Sequence, residues 1–409
     1  MRVRDKAFFG AFALLVPAFA LVPAFASCAE SQSDQPSAPD ASVSLDASGA
    51  DAGNVDAEPD AGCDPSDEDC VTRPLSCDEA PWCPVPTTVS GFYVLTAVWG
   101  SSKNDVWAVG SGGTIVHWDG TAWTATPTAV KNTFNTVWGS GPNDVWVASS
   151  TDAVFHSAGW AGKDTEWERV PLPLDKDNDA PVFAIWGTKA GDLRIAGQFF
   201  SLPIPGTEDF VPSNGFTRHV LPDGSFEWQG VPGTANVHGV WGSGPDDVWL
   251  VADNSLFKKW ELGLTLHGTG GADGGALTWT EVDSRSSVAL RAIWGSSAND
   301  IWAVGDIGSI RHAASASATK LEVVPSPTSE RLRAVWGSAA DVVWAGGDAG
   351  TILHYDGETW TKTAAAFPVG KKPTLYGVWG SARDDVWIVG DGVALHYTGA
   401  KLGDAGGSQ

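Results

Sequence analysis

The chain has 409 residues, room for one large domain or two or three small ones, and a formal charge of −24. That charge repels a phosphate backbone and argues against nucleic acid as a partner. Its 22 tryptophans against one methionine, with 48 glycines and 25 prolines, point to short strands joined by many turns.

The N-terminus reads as an export signal. Arg2, Arg4 and Lys6 precede an apolar run from Ala7 to Val22, and small residues lead to Cys28. The order charged, apolar, small is that of a secretory signal peptide, expected over residues 1–27. Pro17 breaks the run, which is short for a membrane span. Two cleavage outcomes stay open. Ala24-Phe25-Ala26 suits an ordinary signal peptidase, whereas Phe25-Ala26-Ser27-Cys28 resembles the bacterial lipobox. That resemblance implies lipid attachment at Cys28. With Ala29 rather than Asp after the cysteine, it implies the outer membrane of a Gram-negative cell, the alternative being an extracellular protein.

Residues 28–80 are expected to be a disordered acidic linker. From 29 to 80 there are fourteen acidic residues against Arg73 alone, and almost no bulky apolar side chain before Gly62. Such a stretch buries too little surface to fold. Cys63, Cys70, Cys77 and Cys83 follow, and in an oxidising compartment they are expected to form two disulfides, with three possible connectivities. Their spacing is wider than the usual paired zinc ligands.

A repeat organises the remainder. A small residue, Val or Ile, then Trp-Gly recurs at Trp99, Trp138, Trp186, Trp241, Trp294, Trp336 and Trp379, at spacings of 39, 48, 55, 53, 42 and 43 residues. One blade of a propeller has about this length. Eight residues after each stands another Trp, replaced in the third repeat by Arg194, and two residues before that position an Asp, shifted back to Asp341 in the sixth. Gly-Ser-x-x-Asn/Asp between the motifs is turn chemistry. Val106 and Ala108 alternate with Trp107 and Val109, a strand period. A third strand such as Thr114–Trp118 follows, then Asp119-Gly120 and a fourth strand beginning at Trp123. The expected fold is all-β: a seven-bladed β-propeller of four-stranded antiparallel blades over residues 81–399, with a flexible tail over 400–409. The seventh repeat lacks a fourth strand. Trp82-Cys83-Pro84 matches that pattern, so an N-terminal strand is expected to close the ring.

These residues resemble known repeats. Val106-Trp107-Ala108-Val109, Gly113-Thr114-Ile115, Gly120 and Trp123 are similar to the tectonin-type propeller repeat. Asp356-Gly357-Glu358-Thr359-Trp360 resembles the end of the Asp-box (BNR) repeat of sialidase-like propellers, although Asp and Gly are adjacent here. The overall likeness is to Trp-rich propeller repeats of exported bacterial lipoproteins. The tectonin likeness implies a lectin-like binding module. The Asp-box likeness implies, as an alternative, a sialidase-like glycoside hydrolase using Arg194.

Candidate residues divide by whether they follow the repeat. The repeated Trp are expected to fill the space between blades. The repeated Asp are expected to cap turns through backbone N–H groups. Six third-strand histidines, His117, His156, His219, His312, His354 and His396, are too far from the axis to share an ion. Asp175, Asp177 and Asp179 alternate like calcium ligands but lack the glycine and glutamate of an EF-hand loop. Trp160, Phe199, Phe200 and Phe210 fall off the repeat and are the ligand-binding candidates. The long third and fourth repeats, Phe199 to Gly215 and Glu261 to Ala276, mark the expected functional face. No nucleophile elbow, phosphate loop or cofactor motif is present. The expected function is non-catalytic binding of a glycan or protein by a monomer, the alternatives being the hydrolase and a structural envelope protein.

Overall fold

A computed structural model describes residues 74–126, 128, 130–149, 154–170, 181–189, 192–198, 215–220, 226–230, 236–253, 263–270, 277–367, 372–397 and 399, with backbone alone at 189, 192 and 198 and over 215–220 and 226–230. Cys28, Cys63, Cys70, Asp175, Asp177, Asp179, Phe199, Phe200 and Phe210 lie outside these residues, as do the signal, most of the linker and the tail.

Among the described residues, seven four-stranded antiparallel sheets follow one another in chain order. Their first strands are Leu95–Ser102, Phe134–Gly141, Val182–Lys189, Asn236–Gly244, Leu290–Ser297, Leu332–Ala339 and Leu375–Ala382. Each first strand contacts the first strands of the two neighbouring sheets, and the last meets the first, which closes a propeller around these innermost strands.

The alternation in the second strand sorts its side chains between neighbours. Along Asp105–Gly110, Val106 and Ala108 join Trp387 and Val389 of the seventh blade, while Trp107 and Val109 join Phe134, Val137 and Val145 of the second. All four are fully buried, because a blade is covered on both faces. The Trp of each first strand reaches across to the next blade. A Cβ on Gly139 would lie 2.4 Å from Cη2 of Trp99, and one on Gly337 2.6 Å from Cη2 of Trp294. The glycine after the repeated Trp is therefore required by the preceding blade's indole.

The N-terminal strand closes the ring. Trp82–Pro84 pairs antiparallel with Val393–Tyr397, Trp82 opposite Tyr397 and Pro84 opposite Leu395. Among the three connectivities, the structure pairs Cys77 with Cys83, with Cα atoms 5.3 Å apart. The bridge joins the closing strand to the turn just before it.

The repeated Asp does not cap a turn as expected. Asp105 accepts the Ser101 hydroxyl at 2.5 Å and meets Nε2 of His117 at 2.6 Å, which ties first, second and third strands at one end. Ser140, Asp144 and His156 repeat the cluster, as do Ser243, Asp247 and His267, Ser296, Asp300 and His312, and Ser381, Asp385 and His396. His267 thus joins the third-strand histidines. In the fourth, fifth and seventh blades the ring stacks on the second-strand Trp, with centroids 4.1 Å apart, whereas in the first and second it is tilted against it. The capping role falls instead to Asp119, which accepts the Thr121 hydroxyl and the N–H groups of Ala122 and Thr121. Led by the Thr121 hydroxyl, these bonds lower its pKa to about 2. Asp300→Ala is expected to cost about 1–3 kcal/mol, because His312 and Ser296 lose their acceptor together. Urea unfolding against the native chain measures it.

Candidate functional site

The two ends of the blades differ in kind. At the end that holds the Ser–Asp–His clusters, the chemistry repeats. The carboxylate stands between hydroxyl and imidazole, so the histidine never reaches the serine. This arrangement fastens strands and activates no nucleophile.

At the opposite end every first strand carries a bulge, a shift of register three residues before the repeated Trp. The bulged residues are Thr96, Asn135, Phe183, His238, Arg291, Arg333 and Tyr376. No two blades agree except in the pair of arginines. The preceding position is always a large apolar residue and the following one Ala, Thr or Gly. A bulge re-aims its side chain out of the ladder, and here the side chains meet neighbouring blades or the acid of their own blade.

Those contacts form a belt. Thr96 donates to the Phe134 carbonyl at 2.5 Å, and Asn135 to the Val182 carbonyl at 2.9 Å. The Phe183 ring lies 5.7 Å from that of His238. Nε2 of His238 is 2.7 Å from the Asp253 carboxylate and 3.0 Å from Nη1 of Arg291. Arg291 grips Asp306 through Nε at 3.0 Å and Nη2 at 2.9 Å, and Nε of Arg331 meets the same carboxylate at 2.7 Å. Arg333 pairs with Asp348 at 2.5 Å, and its guanidinium lies 5.0 Å above the Tyr376 ring.

The acids occupy one repeated place, at or just after the end of the second strand. It is Asp253, Asp306, Asp348 and Asp391 in the fourth to seventh blades and Ser111 in the first. Burial pushes the Asp306 carboxyl up, but Arg291, Arg331 and Arg333 outweigh it and hold the group below the ordinary carboxylate range. The Asp306 hydrogen bonds raise the Arg291 pKa against burial. Burial, with Asp391, raises that of Tyr376.

Exposed apolar side chains share this face. Phe92 is almost wholly exposed, and Tyr93 next to it accepts the Gly392 N–H of the seventh blade at 3.1 Å. Ile307 follows Asp306 in the turn between second and third strands.

The residues expected from sequence distribute as follows. Trp160 is half-buried, with its ring stacked on His117 at 4.1 Å and edge-on to Trp107 at 6.0 Å, at the clustered end. Arg194 is 1% exposed and donates to the Pro245 carbonyl of the fourth blade at 3.0 Å, so it presents no guanidinium to a substrate. Part of the expected fourth-repeat insertion is the third strand of its blade, Gly263–Thr269. Among the described residues no group of three or more His, Cys, Asp and Glu is placed to hold a metal ion. The bulge residues are not marked by the repeat motif, because they share a position and no chemistry. The signal was the one column of that motif whose chemistry changes from blade to blade.

No protein-family model matches the chain, and no curated protein matches it in sequence. Solved structures do match. YCF48 bound to D1 peptide aligns with a TM-score of 0.58 at 17% identity, over 80% of this chain and all of that one. YCF48 from Cyanidioschyzon merolae aligns at 0.56 and 19%, over 77% and 98%. A streptogramin B lyase aligns at 0.57 and 15%, over 76% and 95%. At these identities the likeness establishes one thing, that the chain folds as a β-propeller.

Proposed function

We propose that the chain is an exported, lipid-tethered and non-catalytic binding module, whose propeller takes a protein segment on the face formed by the bulged ends of its first strands. The observation that carries this reading is the bulge column. Most of what packs the propeller repeats from blade to blade, whereas this column differs and shares its face with Phe92, Tyr93 and Ile307. Aromatic and arginine side chains of this kind dominate protein-binding surfaces. A structure similar to this fold is described as bound to a peptide, which supports a segment rather than a small molecule as the ligand. The export signal and Cys28 support display at a membrane surface.

The test uses the folded chain on arrays of 15-residue peptides and of glycans. Retention on peptides is expected, about tenfold weaker for Tyr376→Ala and unchanged for Arg383→Ala. Arg383 lies at the clustered end, in the turn between the first two strands of its blade. Retention on glycans alone replaces the protein segment with a sugar. Retention on neither removes the binding reading.

A further inference from the structure

Two turns on this face place a residue other than glycine in the left-handed region, and one of the two is β-branched. In the turns between second and third strands, the first and seventh blades place Gly112 and Gly392 at φ of +67° and +66°. The fifth and sixth blades place Ile307 and Ala349 there, both at +53°, and only Ile307 is β-branched. Glycine adopts this left-handed conformation freely, whereas a β-branched residue does so at a cost. The Ile307 side chain is 69% exposed, so the isolated chain recovers little of that cost through burial. Strain kept at an exposed site is a reason to look for a ligand.

The neighbouring charges say what kind. Two guanidinium groups, those of Arg291 and Arg331, share the single Asp306 carboxylate at the root of the turn. Arg291 holds it through two nitrogens, whereas Arg331 touches it through Nε and is the more exposed, at 40% against 26%. Arg331, the more exposed of the two cations, and Ile307, which follows Asp306 in the chain, thus flank the same carboxylate. A carboxylate matches the planar donor fork of a guanidinium.

We propose that Ile307 and Arg331 form a two-point anchor for a peptide segment that brings an apolar side chain and a carboxylate together. This rests on the protein-segment reading above and names what the segment must carry. The carboxylate is that of an Asp or Glu side chain or of a chain terminus.

The experiment is an array of random 15-residue peptides, each made with a free and with an amidated C-terminus, and probed with the native chain, Ile307→Gly and Arg331→Gln. The retained peptides are expected to be enriched in an acid beside an apolar residue, or to need the free terminus. The first outcome assigns the carboxylate to a side chain, the second to the terminus. Each variant is expected to lose at least tenfold in retention. Ile307→Gly is expected to melt about 1–3 °C higher, since glycine relieves the turn, so its loss of binding cannot come from misfolding. Peptides held equally by all three proteins, or without preference for a carboxylate, overturn the anchor and leave the protein-segment reading standing. No retained peptide at all overturns both. A lower melting temperature for Ile307→Gly overturns the strain argument.

Discussion

Trp82→Ala is expected to destabilise the propeller by about 3–5 kcal/mol, the range for emptying a tryptophan site in a core. Trp82 is fully buried, lies edge-on to Trp344 with centroids 5.1 Å apart, and touches the Tyr397 ring at 5.2 Å. Its carbonyl accepts the Ala366 N–H at 2.9 Å. The indole N–H has no acceptor among the described residues, so the loss is one of packing. What sets this site apart is topology. In six blades the fourth strand continues directly from the third, whereas in the seventh it comes from the other end of the described chain. Its three residues bridge the sixth and seventh blades and hold the ring shut. Trp360→Ala, in the fourth strand of the sixth blade and 6% exposed, is the matched control. It removes the same volume without opening the ring. Chemical unfolding is expected to show a larger loss for Trp82→Ala and faster proteolysis of residues 74–85. Equal losses would show that the ring holds without this anchor.

How much of this was legible in the sequence depended on whether the repeat specified it. The blade motif, the strand order and the closing role of Trp82-Cys83-Pro84 were legible because apolar periodicity and spacing encode packing directly. The Ser–Asp–His clusters were not. Ser101, Asp105 and His117 sit on three strands, and only the pairing of Trp107 with His117 brings the imidazole to the acid. A carboxylate near a turn reads locally as a cap, and long-range pairing overrode that reading. Sequence position does not show that a neighbouring blade's His117 stacks on the off-pattern aromatic Trp160. The belt from His238 to Tyr376 was hidden for the opposite reason. Its members share no chemistry, and only the common bulge shows that they occupy one position. Ile307 gives no sign in sequence, since the turn's handedness appears only in the backbone.

Val342→Asp is expected to remove the first of two steps by which acid loosens the ring. In the sixth blade Asp341 stands one residue early and pairs with Arg383, and Val342 holds the place that Asp105 or Asp385 holds elsewhere. His354 still stacks on Trp344 at 4.1 Å, but among the described residues no carboxylate hydrogen-bonds its ring. Burial, against a weaker pull from Asp356, holds its pKa below the ordinary 6.5. A histidine kept neutral in the fold takes up its proton more readily when unfolded. Its contribution is therefore present above about pH 6.5 and lost as the pH falls through that value. The paired aspartates act later. For Asp105, Asp144, Asp300 and Asp385 burial raises the pKa, but the histidine and serine hydrogen bonds outweigh it and the groups lie below 3.8. Their contribution is complete above about pH 4–5 and is lost as the pH falls below the ordinary carboxylate value. The native melting temperature should thus fall in two stages, a shallow one between pH 7 and 5 and a steep one below pH 4. In Val342→Asp the new carboxylate faces Ser338 and His354, the places held by Ser101 and His117 in the first blade. Losing the Val342 contacts costs about 1–2 kcal/mol at neutral pH, so absolute stability is a poor readout. The pH profile and the His354 titration followed by NMR are better ones. The shallow stage should vanish and the His354 pKa should rise above its native value. An unchanged His354 titration would show that the sixth blade cannot accept the acid that its neighbours carry.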